Sequence, residues 1–236
     1  MWRSAADGSQ RLQLTFSPVI AKSPRWSPDG THVAFLGSSA GKPRRIFIMS
    51  TEGGAALPLT NGDCGPRGDW HPTWSPSGTA LAFSSDPDDD PQQQQRAALR
   101  MVELKTGRIS TLPESEGLWA PSRSPDGRYI AALGYPKGEI ILYEPGTHRR
   151  VELSASPGRL PSWSRDGQFV YFESTLAERS DWCRVRISDR KLEQLANLKG
   201  LDRVYPGWLD HTPDGTLIST RWTGAKDIYA LDWVAP

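Results

Sequence analysis

A seven-residue motif recurs along the chain and constrains its fold more than any other feature. Residues 24–30 read Pro-Arg-Trp-Ser-Pro-Asp-Gly and precede an apolar run that ends at Phe35, and residues 72–83 repeat this pattern position for position. Three looser copies begin at Pro121, Pro161 and Pro206. The tryptophan or its equivalent stands at positions 26, 74, 123, 163 and 208, with successive spacings of 48, 49, 40 and 45 residues. A period of this length is typical of a β-propeller blade.

Each repeat contains the residues of short antiparallel strands joined by turns. In the sequence Ser-Pro-Asp-Gly, proline presets φ, the aspartate side chain bonds nearby backbone and glycine tolerates positive φ, so the motif predicts a hairpin turn. Two β-branched or aromatic runs and a short alternating segment follow it in most copies. Residues 191–198 contain helix formers at helical spacing, but their place in the repeat predicts a fourth strand.

The repeats predict an all-β fold: residues 1–236 form one β-propeller domain of five four-stranded antiparallel blades. The blades are expected near residues 17–60, 61–112, 113–155, 156–198 and 199–236. Residues 2–15 align with residues 47–60 at a constant offset of 45. We therefore expect residues 11–15 to supply the outer strand of the C-terminal blade and to close the ring. Residues 2–5 and 228–231 then both align with the third strand of a blade. One of these strands is surplus to a five-bladed ring, so the chain is expected to be a fragment of a longer protein.

Composition and charge exclude several classes of function. Lys and Arg number 28 against 27 for Asp and Glu, and a net charge of +1 provides no overall field to attract nucleic acid or an anionic membrane. Every apolar run is far shorter than the roughly 18 residues of a membrane helix. Two cysteines are too few for a disulfide framework or a thiolate metal cage. We therefore expect no cofactor, no nucleic-acid binding and no membrane contact, and the compartment, periplasmic or cytoplasmic, stays open.

These repeats resemble the TolB-like (WD40-like) propeller family, in which Pro-x-Trp-Ser-Pro-Asp-Gly precedes an Ile/Val-Ala-Phe strand. The first two copies are close to that pattern, whereas Arg123 replaces the tryptophan of the third. Residues 2–8, Trp-Arg-Ser-Ala-Ala-Asp-Gly, also resemble a run in the C-terminal propellers of bacterial winged-helix regulators. The resemblance implies a bacterial, non-catalytic repeat scaffold that binds protein or senses a ligand. Similar propellers gate serine peptidases, so an accessory gating domain remains the first alternative, and a five-bladed glycosidase is the second.

Three patterns that could carry chemistry favour ordinary structure instead. Residues 37–41 read Gly-Ser-Ser-Ala-Gly, but they join the second and third strands of a blade and lack the helix that a nucleophile elbow requires. Residues 86–90 contain alternating aspartates without the glycine and glutamate of a calcium loop. A five-bladed glycosidase needs paired carboxylates near the channel, where only Asp69 and Asp202 stand. We therefore predict a protein without catalytic or metal-binding residues.

The residues before the motif proline differ from blade to blade, while the proline and tryptophan repeat. They precede the innermost strands, so they are expected to line one mouth of the channel. The predicted binding residues are Asp69, Trp70, His71, Trp119, Arg159, Arg203 and Tyr205. An aromatic and charged mouth of this kind suits a protein, a peptide or a small polar ligand, although these residues could equally form the bare rim of a narrow channel. The motif tryptophans at positions 26, 74, 163 and 208 are predicted to pack between blades.

Overall fold

A computed structural model describes residues 1–39, 41–63, 67–85, 97–176, 181–198, 209–211, 217–220 and 228–230 of the chain. An N-terminal hairpin consists of β1 (Trp2–Arg3) and β2 (Leu12–Gln13). The first blade consists of β3 (Ile20–Trp26), β4 (His32–Ser38), β5 (Arg45–Ser50) and β6 (Leu57–Pro58). The second consists of β7 (Asp69–Trp74), β8 (Ala80–Ser85), β9 (Leu99–Glu103) and β10 (Ile109–Thr111). The third consists of β11 (Leu118–Arg123), β12 (Ile130–Gly134), β13 (Glu139–Glu144) and β14 (Arg149–Ser154). The fourth consists of β15 (Gly158–Trp163), β16 (Phe169–Ser174), β17 (Asp181–Arg186) and β18 (Leu192–Asn197). A three-stranded sheet follows, with β19 (Leu209–His211), β20 (Leu217–Thr220) and β21 (Ile228–Ala230).

The sheets confirm the predicted four-stranded antiparallel architecture for four of the five expected blades. In each of the four complete blades the strands are antiparallel and neighbour one another in chain order, so every blade is a meander. The segment 191–198 forms the strand β18, as its place in the repeat predicts, because pairing with β17 outweighs its helical propensity. The described structure therefore contains four complete blades, and β19 to β21 have the order of the first three strands of another. Within the described residues, no helix is long and apolar enough to cross a membrane.

The N-terminal hairpin copies the outer half of a blade. Trp2 pairs with Gln13 in the hairpin, and Phe47 pairs with Pro58 in the first blade, which is the same register displaced by the predicted offset. However, β2 pairs with β1 and not with β21 in the described part of the chain, so the expected closure of the last blade by residues 11–15 is not observed. Leu14 packs instead against apolar residues of the first blade. Burial against that sheet accounts for the position of the hairpin.

The hairpin turns owe their geometry to side-chain hydrogen bonds. Ser27 Oγ donates to Asp29 Oδ1 (2.5 Å), and the backbone N–H of Thr31 donates to the same oxygen (3.0 Å). These hydrogen bonds, first that from the serine, lower the pKa of the Asp29 carboxyl to about 2. The turns of the third and fourth blades repeat the pattern with their own serine and aspartate. The structure therefore confirms the hairpin turn predicted from the sequence Ser-Pro-Asp-Gly.

The apolar cores lie at the junctions between blades. One buried cluster joins residues of the first and second blades, another those of the second and third, and another those of the third and fourth. Trp74 and Trp163 are each 8% exposed at such junctions, as predicted for packing residues. Trp26 differs, because it is 54% exposed and has no comparable neighbouring blade in the described structure. Trp208 lies outside the described residues.

Candidate functional site

The first strand of every complete blade contains a β-bulge at the same place. The register shifts between Lys22 and Arg25 in β3 and between Trp70 and Thr73 in β7. Corresponding shifts occur between Trp119 and Ser122 and between Arg159 and Ser162. These first strands contact one another from blade to blade, which makes them the inner strands of the assembly. A bulge bends a strand and redirects its side chains, so each inner strand presents an altered surface at this point.

The bulge holds a left-handed residue directly before each motif proline. The residues are Ser23 (φ 50°), His71 (φ 48°), Ala120 (φ 52°) and Leu160 (φ 52°). This conformation is uncommon for residues other than glycine and is further restricted before proline. Its recurrence in four blades assigns the strained backbone to the common framework, whereas the side chains on it differ. The expected pattern of a constant framework and variable residues is therefore present in the structure. Tyr205 and Arg203 lie outside the described residues.

An aromatic and cationic cluster forms at the bulge of the second blade. The rings of Trp70 and His71 meet edge to face with centroids 5.0 Å apart. The Arg44 guanidinium lies over the Trp70 ring, 4.3 Å from its centroid, in a cation–π contact. Burial, followed by the charges of Arg25 and Arg44, lowers the pKa of His71 to about 3. The His71 imidazole is therefore neutral near pH 7 and can both donate and accept a hydrogen bond.

Asp69 supports this cluster from inside the blade junction. Its side chain is 0% exposed, and the Thr60 hydroxyl donates a hydrogen bond to Oδ2. The backbone N–H of Asp69 donates to the Arg44 carbonyl at 3.1 Å, and the N–H of Arg44 donates to the Arg67 carbonyl at 3.1 Å. These bonds tie the start of β5 to the start of β7 and set Arg44 beside Trp70. The Asp69 carboxylate, expected at the mouth, is thus buried at the blade junction, and the backbone of Asp69 holds Arg44 in place.

Trp119 and Arg159 occupy the equivalent places on the next two inner strands. Trp119 is partly buried against the core shared by the third and fourth blades, and Arg159 is exposed. Arg44 and Arg25, which sequence reasoning missed, join the predicted residues Trp70 and His71. Arg25 could have been noticed because it stands inside the motif, between the proline and the tryptophan. No local pattern marks Arg44, whose position depends on contacts between blades.

The other sequence patterns considered for metal binding or catalysis lie partly within the described residues. The described residues include no group of three or more His, Cys, Asp or Glu side chains able to hold a metal ion. Burial, followed by the charge of Asp181, raises the pKa of the Cys183 thiol to about 11, which disfavours the thiolate. The Gly-x-Ser-x-Gly sequence begins with Gly37 and Ser38 at the end of β4, and Ser39 and Gly41 follow in the connection to β5, as predicted for a hairpin. The acidic run at 86–90 lies outside the described residues.

Comparisons with known proteins agree with this architecture. The TolB beta-propeller domain family matches residues 5–208. The chain is 28% identical to the uncharacterized peptidase YuxL of Bacillus subtilis over 67% of its own length and 22% of that protein. It superposes on TolB from Acinetobacter baumannii with a TM-score of 0.75 at 18% identity, covering 94% of this chain and 54% of TolB. A structure of prolyl endopeptidases gives a TM-score of 0.58 at 16% identity, with 91% of this chain and 34% of that one covered.

The chain spans about a fifth of the length of the Bacillus relative and about half that of TolB. The resemblance to the propellers of winged-helix regulators finds no support in these comparisons, whereas the resemblance to TolB-like propellers does. The repeat, the four-stranded blades and the match over most of the chain lead to one assignment. The chain belongs to the TolB beta-propeller domain family.

Proposed function

We propose that this propeller is a non-catalytic module that binds a protein, a peptide or a small polar ligand at the bulges of its inner strands. The observation that carries the proposal is the set of left-handed residues before the motif prolines. They keep one backbone geometry in four blades and present different side chains. A constant framework with variable side chains provides a surface that can differ in specificity without loss of the fold.

The cluster at the second blade gives this surface its recognition chemistry. The Trp70 ring offers a flat apolar face, Arg44 adds a cation beside it, and neutral His71 adds a donor and an acceptor. Aromatic and arginine side chains are the residue types that dominate binding energy in protein interfaces. Trp119 and Arg159 extend the same chemistry along the inner strands. Arg203 and Tyr205 remain predicted members of the site.

The blade count belongs to the same proposal. We infer five blades, with residues 199–236 forming the fifth, because β19 to β21 repeat the order of the first three strands of each complete blade. The N-terminal hairpin supplies an outer pair of strands beside the first blade. In this arrangement the inner-strand site would extend to the position of Tyr205.

A substrate-gating propeller of a serine peptidase is the second candidate. It is favoured by the 28% identity to the Bacillus protein described as a peptidase and by the likeness in fold to prolyl endopeptidases. The domain composition of the natural full-length polypeptide distinguishes the two candidate functions. A hydrolase domain in it, with cleavage of peptidyl anilides, would favour the gate, and its absence would favour an independent binding module.

A peptide-binding experiment tests the leading proposal. Peptides selected from a random heptapeptide display library on the immobilised chain are synthesised, and their dissociation constants are measured by fluorescence anisotropy. Trp70→Ser is expected to weaken binding by about 30-fold, as for a residue at the centre of an interface. Trp2→Ser, at a 63% exposed position in the N-terminal hairpin, is the matched control and should leave binding unchanged. Equal affinity of both variants and the unaltered chain would overturn the proposal.

A further inference from the structure

A groove opens between the outer parts of the third and fourth blades, and none of the residues at the inner-strand bulges lines it. Twisted sheets diverge with distance from the inner strands, which leaves a wedge that side chains must fill. Here the wedge is only partly filled, and a cavity of about 220 Å³ remains. It is lined by Arg128, Tyr129, Leu142, Glu144, Arg149, Val151, Leu153, Ile187 and Arg190.

The floor of this groove is apolar. Val151 and Leu153 alternate along β14 and so lie on one face of the blade, and Ile187 approaches from the turn after β17. Leu153 is buried, whereas Val151 and Ile187 are only partly covered. The volume is smaller than the roughly 300 Å³ at the lower limit of small-molecule pockets. It therefore suits one or two side chains of a larger partner better than a whole small ligand.

The rim of the groove has an excess of positive charge. Three arginines and one glutamate line it, which leaves a net charge of +2. The glutamate, Glu144, accepts a hydrogen bond from Arg128 Nε at 2.8 Å and another from the Thr147 hydroxyl at 2.7 Å. Within the described part of the chain, the side chains of Arg149 and Arg190 form no hydrogen bond or ion pair, and both are exposed.

Comparison with the second blade shows why the Arg149 side chain forms no ion pair with the glutamate opposite it. There Arg108 stands in the place of Arg149 and pairs with Glu103 on the adjacent strand, at 3.1 Å. In the third blade the equivalent Glu144 is bound by Arg128, which stands after the turn glycine where the second blade has Thr79. Arg128 thus binds the carboxylate that Arg149 would otherwise bind from the opposite strand. The same framework therefore carries a directly paired arginine in one blade, whereas in the next the charge of Arg149 acts on Glu144 without a hydrogen bond or ion pair.

We propose that this groove binds a peptide segment of a partner protein in which an acidic side chain neighbours an apolar one. The carboxylate pairs with Arg149 and Arg190 through charge-assisted hydrogen bonds, and the apolar side chain lies on Val151 and Ile187. Charge complementarity and the size of the cavity both favour such a segment. The groove is separate from the inner-strand site, and either can bind without the other.

The test uses an array of acetylated, amidated peptides that places every pair of adjacent residues between fixed Gly-Ser flanks. The immobilised array is probed with the labelled chain, and the dissociation constants of the best peptides are measured by anisotropy. Peptides with Asp or Glu beside Leu, Ile, Val or Phe are expected to bind best. Their affinity should fall at least about 10-fold in the double variant Arg149→Gln/Arg190→Gln. Val151→Ser should weaken binding of the same peptides and leave the acidic preference intact.

Arg165→Gln is the matched control, since Arg165 is an exposed arginine in the turn of the fourth blade and lies outside the groove. It should leave the affinity unchanged. Binding that survives the double variant, or that is equal for Gln in place of Glu, would overturn the proposal. So would binding of inorganic phosphate at the same affinity as the acidic peptides, because that would show attraction of anions alone. Trp70→Ser should not alter this binding, so failure here leaves the inner-strand proposal to its own test.

Discussion

The indole Nε1 of Trp74 donates a hydrogen bond to the backbone carbonyl of Arg25, 2.9 Å away, across the boundary between the first and second blades. Trp163 makes the same bond to the carbonyl of Ser122 at 2.8 Å between the third and fourth blades. The tryptophan of one blade thus satisfies a carbonyl on the inner strand of the blade before it. This bond and the burial of the ring together make the motif tryptophan a link between blades.

Trp74→Phe should therefore destabilise the chain, while Trp26→Phe should not. Phenylalanine keeps an aromatic ring at position 74 but leaves the Arg25 carbonyl without its donor, and we expect a loss of about 1–2 kcal/mol in the free energy of unfolding. Trp26 is exposed, so the same change there should cost less than about 0.5 kcal/mol. Urea unfolding followed by far-UV circular dichroism measures both. Equal losses would show that Trp26 also packs against a blade.

The turn of the second blade can be improved by restoring the motif aspartate. Ser77 stands there, and its hydroxyl lies 3.2 Å from Ser75 Oγ and 2.7 Å from Thr79 Oγ1. Ser77→Asp supplies the carboxylate that bonds a serine hydroxyl and a backbone N–H in the other turns, and should add roughly 0.5–1 kcal/mol at pH 7.

The pH dependence of this gain follows from the sign of the pKa shift. Hydrogen bonds lower the pKa of the motif aspartate below its unfolded value, as at Asp29 (about 2). The added stability is therefore present above about pH 4 and lost as the pH falls toward 2. Ser77→Asn, which accepts hydrogen bonds without a charge, is the control. A thermal unfolding midpoint for Ser77→Asp at or below that of the unaltered chain would contradict the prediction.

Gly68 permits the close approach of two blades. It has φ of 83°, and a Cβ at this position would lie 2.6 Å from the backbone nitrogen of Arg44 and closer still to the Arg44 carbonyl oxygen. Gly68→Ala should cost about 2–4 kcal/mol, because it adds a clash with backbone to the strain of a positive φ.

Gly107→Ala separates these two causes. Gly107 also has positive φ, 67°, but a Cβ there meets nothing within 4 Å. Its substitution should cost about 1 kcal/mol, the strain alone. Denaturant midpoints measured side by side give the difference. Similar losses at the two glycines would mean that the contact between Gly68 and Arg44 is readily relaxed.

His71 should make stability depend on pH between about 3 and 6.5. Its folded pKa is about 3, below the value of 6.5 for an unperturbed histidine, because burial and the nearby Arg25 and Arg44 disfavour the imidazolium. In this window the unfolded chain binds a proton that the folded chain does not, so stability falls as the pH drops below 6.5. Between pH 7 and pH 5 the loss should reach up to about 2 kcal/mol.

His71→Asn removes this titration and keeps a side chain that tolerates the left-handed backbone. The variant should lose less stability than the unaltered chain when the pH falls from 7 to 5, in unfolding experiments at matched ionic strength. Parallel pH profiles for the two proteins would show that His71 titrates normally in the folded state.

Much of the fold could be predicted from the sequence because the repeat is local. Each copy of the motif contains its own turn residues, and the register of Trp2 with Gln13 follows from the offset of 45 residues. The candidate site was harder to predict from the sequence. The places of Trp70 and His71 could be predicted from the repeat, but the burial of Asp69 and the stacking of Arg44 depend on contacts between blades. The exposure of Trp26 likewise depends on what lies beside the first blade.

Hydrogen–deuterium exchange of the chain with its selected peptide tests the central claim most directly, because it maps binding without substitution. The account predicts slower exchange on binding at the inner strands, in residues 69–74, 118–123 and 158–163. The outer strands of the same blades, such as residues 109–111, should be unchanged. Protection confined to outer strands or to the hairpin turns, with the inner strands unaffected, would contradict the assignment of the inner-strand bulges as the binding site.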